Sequence, residues 1–132
     1  MEAKRLDLVQ LFFASTGRMG RGVFLFAVAA VFAVFAAYEA AVVGWAHAAT
    51  GWLVHLVLLA AAASVLSKRL HDRGRSGWWS APILLAFAVV WPAPRGVMDW
   101  LFASVLVWAA VELAAMPGEP RPNRFGPPPS PS

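Results

Sequence analysis

The chain contains no cysteine. Disulfides, thiolate metal sites and thiol nucleophiles are therefore excluded, whatever the compartment. Charge is also scarce. Asp, Glu, Lys and Arg make up 14% of the 132 residues, against about 25% in a soluble domain. Acids are the rarer sign, seven against eleven Lys and Arg. What fills the space is apolar: 60% of the residues are hydrophobic, where a soluble domain holds about 45–50%. A soluble chain of this size buries only roughly two-thirds of its unfolded surface. It could not hide this much apolar side chain. An ordinary soluble globule, a disordered chain and a charged coiled coil are all excluded, and one membrane domain remains.

The long uncharged runs give that domain a layout. From Gly22 to Ser67 the only formally charged residue is Glu39. As one helix this run would be about 69 Å long, more than twice the ~30 Å hydrocarbon core, so it must fold back. The Gly, Thr and His residues of Gly44 to Gly51, flanked by Trp45 and Trp52, mark the expected break. From Gly77 to Met116 the length again suits two crossings, with the break at Pro92-Ala-Pro-Arg-Gly96, because two prolines and a glycine do not continue a regular helix. The expectation is an all-α integral membrane bundle of four transmembrane helices, about 22–43, 51–69, 77–91 and 97–116. The third is short, and Ser76 is a suitable N-cap for it.

The flanks complete the domain, read as residues 1–126. Leu6, Val9, Phe12 and Phe13 recur at helical spacing, which predicts an N-terminal amphipathic helix lying in the membrane interface. Asp7 and Gln10 interrupt that stretch, and Arg18 and Arg21 follow it. It does not resemble a cleavable signal, and the chain is read as mature. The tail from Pro117 holds seven prolines in sixteen residues, so 127–132 is expected to be disordered.

Basic residues orient the bundle. Lys4, Arg5, Arg18 and Arg21 precede the first helix, Lys68, Arg69, Arg73 and Arg75 lie between the second and third, and Arg121 and Arg124 follow the fourth. Only Arg95 falls on the other side. By the positive-inside rule both termini are expected in the cytoplasm of a bacterial plasma (inner) membrane. This asymmetry accounts for the net charge of +4 without nucleic acid as a partner.

Three polar stretches share the basic side: Gly17-Arg18-Met19-Gly20-Arg21, Lys68 through Trp79, and Asn123-Arg124-Phe125-Gly126. With these motifs the chain resembles the bacterial inner-membrane family called domain of unknown function 805, which includes YhaH-like proteins. The likeness runs from about Phe13 to Pro127. Lys68 stands where the family usually has arginine, and Pro128 where an acid is common. The resemblance implies a small multi-helix membrane protein and no established activity.

The candidate residues have a bland and a sharper reading. Arg18 and Arg21 share a helix face. They either anchor the helix or join Arg69, Arg73, Arg75, His71, Asp72, Asn123 and Arg124 in one site for anions or lipid headgroups, since guanidinium forks suit phosphate. His71 and Asp72 could suggest a metal phosphohydrolase, but further ligands are lacking. In the bland reading Asp72 pairs with an arginine and His71 hydrogen-bonds it. Intramembrane polar residues are suspects by default. Glu39, His55 and Asp99 are expected as one polar cluster at the outer end, and Glu112 near the inner end, within reach of Arg69 or Arg18.

Nothing in the spacing calls for a metal, a cofactor or a catalytic residue. The leading expectation is a non-enzymatic module whose arginine-rich cytoplasmic face binds anionic lipids or an acidic protein segment, with a protein partner or homo-oligomer possible. The alternative is a small transporter or channel subunit that uses the intramembrane acids. A membrane enzyme acting on lipid phosphates ranks third.

Overall fold

The computed structural model describes residues 8–14, 16–90 and 94–129. Helix α1 spans Leu8–Phe13, α2 Arg21–Ala41 and α3 Gly44–Asp72. A single 3-10 turn, Gly77–Trp79, leads into α4, Ser80–Val90. Helix α5, Val97–Ala109, continues as a π-helical segment, Ala110–Ala115. Ser76 caps the 3-10 turn by accepting a hydrogen bond from the Trp78 amide. Three helices are long and apolar enough to cross a membrane: Arg21–Ala41, Gly44–Asp72 and Val97–Ala115. The stretch Gly77–Val90 is apolar but shorter. Leu6, Asp7, Trp91, Pro92 and Ala93 lie outside the described residues, so the expected ends of α1 and α4 are not on view.

The side chains are distributed as a bilayer requires. Large apolar groups face outward, among them Phe26, Phe32, Leu56, Leu59, Leu85 and Val107. Small residues take much of the interior, Ala27, Ala61, Ser64, Val65, Ala86 and Ala109, beside the larger Phe24, Leu70, Ile83 and Leu113. In lipid the hydrophobic effect does not drive helices together, and small side chains let backbones approach closely enough for dispersion to do so. A crevice of about 270 Å³ remains between α2, α3, α4 and α5. Its lining is apolar, with Val28, Phe32, Leu59, Ile83 and Phe87 prominent and His55 toward one end.

The first hairpin differs from the expected one. Its turn is not Gly44 to Gly51 but the two residues Val42 and Val43, and α3 is helical from Gly44 onward. Gly44 adopts φ +65°, a left-handed conformation that glycine takes at little cost. The polar residues after it do not break the helix. Thr50 Oγ1 donates back to the Ala46 carbonyl at 2.6 Å, which satisfies the hydroxyl within the helix. Helix α3 is consequently about 43 Å long. It exceeds the ~30 Å hydrocarbon layer and carries a polar group of residues at each end.

Candidate functional site

The larger polar centre lies where α3 ends, α2 begins and the C-terminal tail returns. Its principle is visible at α5. The last carbonyls of a helix have no partner within it, and the helix dipole places partial negative charge there. Here arginines from elsewhere in the chain supply donors. Arg69 Nε donates to the Leu113 carbonyl at 2.6 Å and Nη2 to that of Met116 at 2.6 Å. Arg21 Nη1 donates to Ala115 at 2.7 Å, and Arg73 Nη1 to Pro117 at 2.5 Å. Glu112, inside the π-helical segment, accepts from Arg73 Nη2 at 3.0 Å and Arg75 Nε at 2.9 Å. The expected reach of Glu112 to Arg69 or Arg18 is thus replaced by these two arginines, which follow α3 into the loop.

Asp72 is the centre of the arrangement. Its Oδ1 accepts from Arg18 Nε at 3.0 Å and its Oδ2 from Arg69 Nη1 at 2.5 Å. Side-chain exposure is 1% for Arg18, 0% for Arg69 and 4% for Asp72. Two guanidinium groups share one carboxylate, and backbone carbonyls take the remaining donors. Arg18 reaches the carbonyls of Glu119, Arg121 and Gly126, and Arg69 also reaches Met19. Among the described residues no buried side-chain polar atom lacks a partner. Burying such groups in a low-dielectric interior is tolerable only with this degree of satisfaction.

The tail closes over the loop. Asn123 Nδ2 donates to the His71 carbonyl at 2.9 Å and to Glu119 Oε1 at 2.7 Å. The Phe125 ring stacks on His71 with centroids 3.9 Å apart and planes 5° apart, and the Arg124 guanidinium lies over the Phe125 ring, 4.7 Å from its centroid. His71 does not hydrogen-bond Asp72. Its Nδ1 faces the Gly17 carbonyl at 2.8 Å, and because a carbonyl only accepts, Nδ1 carries the proton. Gly74 takes φ +76° to turn the loop. Gly118 passes so close to Asp72 that a Cβ there would run into the carboxylate.

This geometry divides the expected anion ligands. Arg18 and Arg69 are turned inward, with their donors on internal acceptors. Arg73 and Arg75 are held by Glu112. Arg21 and Arg124 remain exposed, and so does Arg121, which the sequence offered only as an orienting charge. A cleft of about 410 Å³ opens beside Arg21 at the first turn of α2, bounded by Pro117, Gly118 and Glu119 of the tail. Lys68 Nζ donates to the Leu11 carbonyl of α1 at 2.5 Å.

The second polar centre is at the other end of α3. Glu39 Oε1 lies 2.8 Å from His55 Nε2 and 3.1 Å from His47 Nε2. Asp99, expected in this cluster, is elsewhere: its Oδ2 accepts from the Arg95 amide at 3.0 Å and closes the first turn of α5. His47 takes its place. It was hidden in the sequence because its surroundings looked like a loop, whereas a helix running through 47 and 55 puts both rings on one face. The four intramembrane candidates therefore sit in three separate places, with the apolar crevice between the ends of the bundle.

The model of the family described as "Protein of unknown function (DUF805)" matches residues 11–127, and the chain belongs to that family. The protein YiiR of Escherichia coli (strain K12), described as uncharacterized, is 35% identical over 77 residues, covering 52% of this chain and 53% of its own length. YiiR of Escherichia coli O157:H7 matches to the same extent. The chain spans about half the length of the curated relatives it matches. No solved structure matches it. Family and helices together describe a membrane-embedded helical protein whose family carries no assigned activity.

Proposed function

We propose that the protein is a non-enzymatic, four-pass module of the bacterial inner membrane, with both termini in the cytoplasm, that holds anionic lipid headgroups at its cytoplasmic end. The observation that carries this reading is the position of Arg21, Arg121 and Arg124. All three are exposed, and all three adjoin the internally satisfied knot. Arg21 touches the end of the last helix, Arg121 gives its carbonyl to Arg18, and Arg124 covers Phe125. The knot fixes the backbone beneath them, so these three positive charges are held near one another's anchoring segments. The cleft beside Arg21 adds the free amides of a helix N-terminus, which favour phosphate.

In this reading α4, with the 3-10 turn before it, makes the fourth crossing as a short helix. Helix α1 lies at the inner leaflet. Native mass spectrometry of the protein carrying phosphatidylglycerol tests the proposal. Each surface arginine is worth about 1 kcal/mol against an anionic surface, so Arg21→Gln, Arg121→Gln and Arg124→Gln together should lower retention by up to about a hundredfold. Unchanged retention would remove the reading.

A further inference from the structure

We propose that Glu39, His47 and His55 form a binding site for a divalent transition-metal ion of the zinc class. Each residue offers one ligand atom, and the three atoms lie within 4.8 Å of one another. Zinc is bound at about 2.0–2.2 Å by imidazole nitrogen and carboxylate oxygen, usually in a tetrahedron. Such bonds set ligand atoms about 3.3 Å apart. The two edges at Glu39, 3.1 and 2.8 Å, are close to that spacing. An ion entering at Glu39 opens these two edges by a few tenths of an ångström and draws the two imidazole nitrogens, within 4.8 Å of each other, to the same spacing.

The helix geometry makes this convergence specific. His47 and His55 are eight residues apart on α3, about 12 Å along the axis, yet their ring centroids are 5.8 Å apart. The rings lean toward each other across Gly51, which has no side chain to separate them. A Cβ at Gly51 would just touch the His47 ring, at 3.6 Å. A larger side chain would occupy the ring's place. Tyr38 braces the pair: its ring lies 5.2 Å from His47 and 5.8 Å from His55, and its hydroxyl is 2.7 Å from Thr50 Oγ1. Restraint of ligand rings by neighbours raises metal affinity.

Without an ion, both imidazoles must point Nε2–H at one carboxylate oxygen. With an ion, both nitrogens and the carboxylate become ligands, and a fourth position stays open. Side-chain exposures of 34% for His47, 43% for His55 and 39% for Glu39 leave that position accessible. Two histidines and a glutamate with an open position are a set that suits Zn2+, and Cu2+ would compete for the same nitrogens. Mg2+ prefers an all-oxygen shell and would not.

The test uses the untagged protein in detergent. Equilibrium dialysis against Zn2+ should give about one bound ion per chain, and Mg2+ none. Co2+ should give the intense visible bands of a four-coordinate ion. His47→Ala with His55→Ala, and separately Gly51→Leu, should each weaken Zn2+ binding by at least about tenfold, while Gly51→Ala and Asp99→Asn retain it. The Co2+ spectrum is read on the unaltered protein, so a variant that fails to fold leaves the inference open to refutation. Absence of bound Zn2+ and of Co2+ bands, or binding that survives loss of both histidines, would overturn it.

Discussion

Arg69 donates its Nε proton to the carbonyl of Leu113, 44 residues further along the chain, at 2.6 Å. The contact joins the end of one long helix to the end of the last. It makes a buried cation part of a helix C-cap, a role that Lys, Arg and His side chains fill elsewhere from nearby in sequence. The guanidinium is suited to it because its donors are fixed in a plane and can address Asp72, Met19, Leu113 and Met116 together.

Replacing Arg69 should therefore be severe. Removing one partner of a buried pair costs about 3–5 kcal/mol, and Arg69→Met is expected in that range by unfolding in mixed micelles. Arg69→Lys should recover little, because a single ammonium cannot span four acceptors in different directions. A lysine variant as stable as the parent would show that charge alone, and not the fork, holds the helix end.

Gly118 should tolerate no side chain. In Gly118→Ala the added methyl meets the Asp72 carboxylate, and either the tail lifts or the Arg18 pair opens. Limited proteolysis should cut the region after Met116 faster in this variant than in the parent. Gly74→Ala should act in the same direction, losing about 1–3 kcal/mol from the left-handed backbone, with Glu119 also in its way.

The two arginines on Glu112 should differ in worth. The Arg73 side chain is 19% exposed and that of Arg75 is 40%. Double-mutant cycles on stability should give a coupling of about 1 kcal/mol for Arg73 with Glu112 and about half of that or less for Arg75, because water screens the more open pair. Equal couplings would contradict the difference in burial.

The lack of cysteine makes orientation directly measurable. With Ala48→Cys and Arg124→Cys as single substitutions, a membrane-impermeant thiol reagent should label position 48 in intact cells with a permeable outer envelope. Position 124 should be labelled only after the inner membrane is opened. The reverse pattern would invert the proposed topology.

Three membrane-length helices were legible because apolar length is a strong signal. The hairpin turn was not. Gly, Thr and His in Gly44 to Gly51 have loop-like composition, but Thr50 bonds within the helix and His47 finds Glu39. The pairing of Asp72 with arginine could be anticipated from their nearness in sequence. The acceptors on Leu113, Ala115, Met116 and Pro117 could not, since every residue has a carbonyl and only packing decides which ones lie open. Arginines at a membrane edge look alike in sequence whether they face lipid or the chain's own helix ends. His71 stacking on Phe125 depends on the tail's path, for which the proline-rich composition gave no direction.

The arginine knot also imposes an order on biosynthesis. Its centre, Arg69 and Asp72, emerges from the ribosome long before the carbonyls of Leu113 and Met116 and the backbone of 119–126. Until those residues are made, the charges of α3 have only each other, Arg18, the carbonyls of Leu11 and Met19, and water. They keep that incomplete set while α4 and α5 are made. A nascent chain stalled before Leu113 thus carries an exposed, incompletely matched polar end, and a finished one does not. The knot therefore closes only when the last helix and the tail are complete.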